Sequence, residues 1–266
     1  MAKTKFTREN VCSSILKKVF IRVDYQGFSG VDDTDKFITN LKTNWGDYFQ
    51  KYAILQNRNY NLNFGKEGMT TFDTEIIRVH RFSDCRIGTS QALMDITGKF
   101  ASIDVTCISP YEGSDGYLDC MARYIKLLKD YDPFVELTRI GIRKFDYIFK
   151  SSALELDSIL ETDIWSLYQE SPQIVPEKKE YKDYMRLNNG TQINLARIIE
   201  KVKINNTEQY RLTFDADAYR QNERLDNNSM RNINANKRLL REINYPLFDF
   251  FIKTFKEEFI NTFYNG

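Results

Sequence analysis

The segment VFIRVDY, residues 19–25, alternates apolar and polar side chains and so opens the fold as a β-strand. Successive side chains of a strand point to opposite faces. One face would therefore be apolar, whereas the other would carry Arg22 and Asp24. A second segment, IRKFDY at residues 142–147, is similar to IRVDY at residues 21–25 with one extra residue. The similarity indicates a repeated unit that starts with this strand.

The residues that follow the first strand suggest a helix, three strands and a second helix. The helix has an aromatic-rich apolar face after an acidic cluster at residues 32–35, whose side chains we expect to cap it. Residues 53–70 are rich in Asn and Gly, which favours a loop or irregular strand. The predicted strands and closing helix are residues 74–82, 87–96, 100–108 and 117–128.

The order of elements then starts again. A strand at 136–149 and a helix at 154–168 precede three strand candidates at 182–187, 192–203 and 209–219. Helices at about 228–243 and 246–263 would end the chain, with Pro246 in the first turn of the last one. We therefore predict an α+β fold of two similar β-α-β-β-β-α halves, residues 1–133 and 134–266. Each antiparallel sheet would pack long helices on one face.

Composition and charge exclude several classes of protein. The 266 residues contain 38 Lys and Arg against 37 Asp and Glu, a net charge of +1 that creates no field attracting nucleic acid or membrane over the whole chain. No apolar run approaches the roughly 20 residues of a membrane-spanning helix. The N-terminal segment lacks the apolar core and cleavage site of a signal peptide. We expect a cytoplasmic protein without a membrane partner.

Catalytic and metal motifs are scarce. His80 is the only histidine and lies in a strand-like segment, which excludes multi-histidine metal sites and favours a structural role. The four cysteines show no C-x-x-C pairing. The sequence has no phosphate-binding loop, dinucleotide fingerprint or G-x-S-x-G elbow. These absences favour a protein that binds without catalysis.

Charged residues on the predicted strands are the main candidate site. Strands with one apolar face would place these residues together on the other face, which could be a binding platform. Cross-strand ion pairing is the structural alternative. The candidates are Arg22, Asp24, Arg143, Asp146, Asp215 and Asp217.

A metal-dependent site is an alternative within this set. Asp215 and Asp217 are two residues apart on a strand, so their carboxylates share a face and could hold Mg²⁺. Asp146 could add a third carboxylate and Arg143 could stabilise phosphate charge. This arrangement requires the two strands to be neighbours.

Two further surfaces could bind partners. Basic residues beside aromatic ones, near the N-terminus and at Arg139, Arg143 and Lys144, could hold single-stranded nucleic acid or be a solvated basic surface. The helix predicted at 228–243 has few apolar residues and could dock an acidic partner. Its basic residues include Arg231, Arg238 and Arg241.

Several of these segments also resemble a protein family. The strand RIGIR at residues 139–143, the segment LTFDAD at residues 212–217 and the last helix with Phe255 and Phe259 are similar to an uncharacterised family of bacterial proteins of this length, sporadically distributed among genomes. The N-terminal segment VCSSI at residues 11–15 departs from the expected proline-containing opening. The resemblance implies an intracellular accessory protein, with phage defence as one such role, and implies no catalytic residue.

The leading hypothesis is a non-enzymatic cytoplasmic protein that acts through a protein partner or self-association. One alternative is a metal-dependent enzyme acting on nucleic acid or nucleotide. The other is a nucleic-acid-binding module without chemistry.

Overall fold

The structure is a computed structural model of the 266-residue chain. It describes residues 6, 16–27, 31–64, 70–88, 90–107, 113–161, 177–222 and 225–264. Within these ranges strands outnumber helices. The strands are β1 (Leu16–Gln26), β2 (Phe49–Phe64), β3 (Thr70–Cys85), β4 (Gln91–Ile96), β5 (Phe100–Thr106), β6 (Glu136–Lys150), β7 (Lys178–Arg186), β8 (Gln192–Ile204) and β9 (Thr207–Gln221).

The helices are named in chain order in the same way. They are α1 (Val31–Trp45), α2 (Asp115–Tyr131), α3 (Ala153–Ile159), α4 (Ile233–Thr254) and α5 (Glu257–Asn261), and a 3₁₀ turn at Ser229–Arg231 precedes α4. None of these described helices combines the length and the apolar character needed to cross a membrane.

All nine described strands form one antiparallel sheet in the order β2-β3-β4-β5-β1-β6-β9-β8-β7. The first described strand, β1, is the middle strand of the sheet. Ile21 on β1 lies opposite Ile103 on β5 and Ile142 on β6. All three side chains are fully buried. The pairing of β1 with β6 therefore joins the first and second halves of the sequence in one sheet with a shared core.

The prediction of two β-α-β-β-β-α halves with separate sheets is wrong. A strand has two hydrogen-bonding edges, and β1 uses one for β5 and the other for β6, which makes the sheet continuous. The first half also has four strands after α1, because the Asn-rich residues 53–70 belong largely to the β2–β3 hairpin. The helix predicted at 154–168 is short, ending at Ile159, and residues 162–176 lie outside the described part. The coarser expectation of an α+β protein is confirmed.

The two helices predicted at the C-terminus are also divided differently. One helix, α4, runs through Pro246, and the short α5 follows it. A proline inside a helix removes the hydrogen bond to the carbonyl four residues earlier. The buried side chains of Ile243 and Leu247 lie on either side of the proline and pack into the core, which holds the helix together there. The helix begins at Asn232, whose side chain accepts hydrogen bonds from two backbone amides of the first turn.

The helices cover one face of the sheet. The main core joins the apolar face of β1 and β6 to buried residues of α1, α2 and α4 such as Leu41, Ile125 and Leu240. A second cluster joins β6, β8 and β9 to α3 and to the Phe-rich end of the chain, where the rings of Phe255 and Phe259 are 5.2 Å apart. The opposite sheet face carries the charged residues. We call it the polar face, and its central members are Arg22, Asp24, Arg139, Arg143, Asp215 and Asp217.

A substitution at the centre of the sheet should destabilise the protein far more than one at its edge. Ile142→Ala removes a fully buried side chain and should lower the free energy of unfolding by about 2–5 kcal/mol through lost burial and a residual cavity. Ile54→Ala on edge strand β2, where the side chain is 51% exposed, should cost less than about 1 kcal/mol. Urea unfolding followed by circular dichroism measures both. Equal losses would contradict the central position of β6.

Candidate functional site

The register of the three central strands brings the charged residues together. Asp24 on β1 lies opposite Arg139 on β6, and Arg143 on β6 lies opposite Asp217 on β9. Because side chains alternate along each strand, these residues and Asp215 project from the same face. The structure therefore brings these five residues together, although they are far apart in the sequence.

Two arginines of β6 each bind a carboxylate of β9 through two hydrogen bonds. Arg139 Nη2 donates to Asp217 Oδ2 at 2.9 Å and to Oδ1 at 3.2 Å. Arg143 uses Nε and Nη2 to reach the two oxygens of Asp215 at 2.8 and 2.6 Å. The latter is the fork-to-fork arrangement that suits a guanidinium and a carboxylate. Both carboxylates of β9 are therefore neutralised by arginine.

The line of charges continues onto β1. Arg22 Nε donates to Asp24 Oδ1 at 2.7 Å, and the other oxygen of Asp24 is 3.9 Å from Arg139 Nη1. Arg139 therefore lies between two carboxylates on neighbouring strands. The result is an alternating row of positive and negative groups across β1, β6 and β9.

The same arginines lie over aromatic rings of the sheet. The guanidinium carbons of Arg22, Arg139 and Arg143 are 4.2, 4.6 and 4.6 Å from the ring centres of Phe100, Tyr219 and Phe145. A cation at this distance from a ring is attracted to its face. The rings hold the guanidinium groups against the sheet and complete a surface of paired charges and aromatic side chains.

Further ion pairs join other neighbouring strands of the polar face. Lys18 pairs with Asp104 at 2.7 Å, Arg81 binds both oxygens of Asp95 at 2.7 Å, and Arg211 pairs with Glu200 at 2.5 Å. The cross-strand ion pairing that the sequence offered as the structural alternative is thus formed. Positive and negative groups balance locally across the face.

The protonation of the central groups follows from this pairing. Hydrogen bonding to Asp215 raises the pKa of Arg143 above its ordinary value. Burial raises the pKa of Asp217, and the nearby charges of Arg139 and Arg143 oppose this shift. Arg143 therefore remains a permanent cation, whereas Asp217 depends on the arginines for its charge.

Asp146 and Lys144 do not lie on the polar face. They differ by an odd number of positions from Arg143 and therefore point to the helix-covered face, where both are buried. Burial raises the pKa of Asp146 to about 7, an effect that the charges of Lys144 and Lys17 oppose. The predicted grouping of Asp146 with Asp215 and Asp217 is not formed. Asp146 lies opposite Phe214 of β9, a buried residue that points to the helix-covered face, whereas Asp215 and Asp217 point to the polar face.

The polar face does not fit a magnesium ion. Within the described ranges, no group of three or more His, Cys, Asp or Glu side chains could hold a metal. The oxygens of Asp215 and Asp217 already accept hydrogen bonds from arginine. The positive charge that Mg²⁺ would supply is thus present as two guanidinium groups.

A pocket of about 230 Å³ adjoins the paired charges on the β7 side. Its lining combines Arg143, Asp215 and Asp217 with Asn194 of β8 and Tyr184 of β7. Tyr184 is 76% exposed, although it is aromatic. No sequence motif singled out Tyr184 or Asn194. The alternation of charged and aromatic residues along β7 was the only signal that could have identified Tyr184.

The basic residues predicted on the last helices form a separate surface. Arg231 and Arg238 are exposed on the helix layer, away from the polar face. Arg238 Nε is 3.8 Å from Glu242, and Arg241 Nη2 is 3.7 Å from Asp119 of α2. These are loose contacts. Lys3, Lys5 and Arg8 of the predicted N-terminal basic cluster lie outside the described residues.

Replacing Asp146 should change how stability depends on pH. The folded carboxyl keeps its proton up to about pH 7, whereas the unfolded one loses it near the ordinary value of 3.8. The folded state then binds more protons between these values, so the free energy of unfolding falls as pH rises through this window, by up to about 1.4 kcal/mol per pH unit.

Asp146→Asn should remove this slope in urea unfolding measured from pH 4 to 8. The exposed carboxyl of Asp130 on α2 provides the matched control, and Asp130→Asn should keep the slope of the original protein. An unchanged slope in Asp146→Asn would contradict the placement of Asp146.

Millimolar Mg²⁺ should leave the melting temperature unchanged, because arginines occupy the carboxylates of Asp215 and Asp217. An ion present at one hundred times its Kd would stabilise the folded state by about 2.7 kcal/mol. Thermal unfolding with Mg²⁺ and with chelator measures this difference. If Mg²⁺ raises the melting temperature of the original protein but not that of Asp215→Asn, the carboxylates bind the ion and the metal-site hypothesis is supported.

No protein-family model matches the chain, and no curated protein is significantly similar to it. The geometry of the chain's own residues is therefore the basis for inferring its function.

Proposed function

We propose that the chain is a non-enzymatic binding protein that holds a protein partner on the polar face of its sheet. One observation carries this proposal: the described helices cover one face of a nine-stranded sheet, and the other face presents paired charges interleaved with aromatic rings. Arginine and tyrosine are the residues that most often dominate the energetics of protein interfaces.

The balance of charge favours a protein over nucleic acid. A nucleic-acid site neutralises phosphates with cations that lack an acidic partner. Here Arg139 and Arg143 are both bound to carboxylates. A phosphate approaching them would also meet Asp215 and Asp217, which repel it.

The ion pairs can be exchanged at low cost. Exposed pairs contribute only about 0–1 kcal/mol each, and the side chain of Arg143 is 47% exposed. A partner with its own carboxylates and amides can therefore replace part of this pairing without disturbing the core. The pocket beside Tyr184 is lined by both charges and by Asn194, and it provides a recess for a polar side chain of the partner.

The metal-dependent enzyme is the weaker alternative, because its third carboxylate, Asp146, lies on the other face. Self-association through the polar face is the alternative within the same class, since a surface with both charges can complement a second copy of itself. We place this binding in the cytoplasm. Accessory roles implied by the family resemblance, phage defence included, would be exercised through the partner.

Charge reversal on the polar face should release the partner. Tagged protein purified gently from its host is analysed by native mass spectrometry and by the ratio of absorbance at 260 and 280 nm. Arg143→Glu places a carboxylate beside Asp215 and should lower the amount of bound partner at least about 10-fold, as expected for a contact worth 1.4 kcal/mol or more. The same change at Arg238, exposed on the helix layer, is the matched control.

The outcomes distinguish the hypotheses. Loss of the partner in Arg143→Glu but not in Arg238→Glu, with both variants folded, supports the proposal, and a mass of two chains identifies self-association. The reverse pattern assigns binding to the helix layer. Co-purified nucleic acid that is released by salt would overturn the proposal.

A further inference from the structure

A second group of polar side chains lies on the helix-covered side of the sheet, where α1 meets the β2–β3 hairpin. The hydroxyl of Tyr52 on β2 is 2.8 Å from Nδ1 of His80 on β3. Nε2 of the same ring is 3.1 Å from Oδ1 of Asp35 on α1. Three elements thus align a tyrosine, the only histidine and an aspartate in a continuous row.

The environment of His80 makes it a proton acceptor. Its side chain is 1% exposed, and burial lowers its pKa, while the charge of Asp35 opposes this shift. The ring is therefore neutral at pH 7. With the tyrosine hydroxyl as donor, Nδ1 is unprotonated and the ring proton is on Nε2, facing Asp35. This N–H is close to the carboxylate without the alignment of a hydrogen bond.

Two cations flank the row. Arg78 binds Asp35 directly, and Nζ of Lys42 lies 3.4 Å from the ring centre of Tyr52. Asp35 is 38% exposed and Tyr52 is half-buried, so the group is partly open to solvent. The ammonium of Lys42 would attract an anionic reagent to Tyr52, whereas Asp35 balances the charge of Arg78.

The geometry points to Tyr52 as a base-activated nucleophile, an acceptor site for phosphoryl groups that is separate from the polar face. A hydroxyl within hydrogen-bond reach of a base, which a third group orients, is the arrangement that activates nucleophiles in proteins. His80 is the base in this row, and the carboxylate of Asp35, 3.1 Å from Nε2, can stabilise the charge that the ring gains.

In the proposed step, the Tyr52 oxygen attacks the phosphorus of a phosphoric anhydride. The new oxygen–phosphorus bond forms as the bond to the leaving phosphate breaks, and the leaving group takes its electron pair. The phenolic proton moves to Nδ1 of His80, and the resulting imidazolium is stabilised by Asp35. The step involves no change of oxidation state and therefore needs no oxidant, and the proton transfer uses only side chains of the row.

The base is needed because the tyrosine does not ionise by itself. Burial and the charge of Asp35 raise the pKa of Tyr52 above its ordinary value. The hydroxyl therefore keeps its proton at pH 7 until a neighbouring base removes it during the reaction. Rapid reaction of the Tyr52 hydroxyl at neutral pH, in spite of its raised pKa, would therefore be direct evidence that His80 removes its proton.

A fluorophosphonate tests the site, because it transfers a phosphoryl-type group to oxygen with loss of fluoride. Labelling of Tyr52 is followed by peptide mass spectrometry, with the exposed Tyr184 and Tyr245 as controls within the same molecule. We expect Tyr52 to react at least about 100-fold faster than either at pH 7, the smaller end of the usual range for general-base catalysis. His80→Gln should remove this advantage and leave labelling of Tyr184 unchanged.

The pH dependence of Tyr52 labelling in the original protein provides a test that needs no variant. With His80 as base, labelling of Tyr52 should change less than about 3-fold between pH 7 and 9, whereas an ordinary tyrosine with a pKa near 10 gains about tenfold per unit. Tyr52→Phe confirms the peptide assignment. Absence of labelling at Tyr52, or a Tyr52 profile parallel to that of Tyr184, overturns the inference.

Discussion

The double pairing of β1, with β5 on one edge and β6 on the other, is the constraint on which the structure depends. It places the first described strand of the chain in the middle of the sheet and joins residues more than a hundred positions apart. Since side chains alternate along a strand, the pairing also divides every central residue between two faces. Ile21 and Ile142 enter the core, and Arg22 and Arg143 go to the other face.

The two faces of the sheet separate the apolar core from most of the charged side chains of the central strands. The helix-covered face is closed by the apolar sides of α1, α2 and α4, which exclude water and supply most of the stability. On the polar face, arginines lie flat on aromatic rings and bind carboxylates of the next strand. Such pairs contribute little to stability but hold donors and acceptors in fixed positions. A surface of this kind suits recognition better than it suits metal binding.

The helix-covered face also contains charged groups, and their burial changes their chemistry. Asp146 is kept from ionising by its surroundings until about pH 7. Burial lowers the pKa of His80, which keeps the ring neutral beside the hydroxyl of Tyr52. In both positions the fold alters the proton affinity of an ordinary side chain, which composition and spacing do not reveal.

Local patterns in the sequence are enough to identify strands and their faces, since period-two alternation identified β1 and β6 and grouped Arg22, Arg143 and Asp215 with the outward side chains. Asp146, one position out of phase, could have been excluded by the same rule. That the strands form one sheet depends on tertiary pairing, because alternation specifies the two faces of a strand but not which strands pair with its two edges. The contact of His80 with Tyr52 and Asp35 is likewise tertiary, because it joins two strands to a helix through packing that no local pattern encodes.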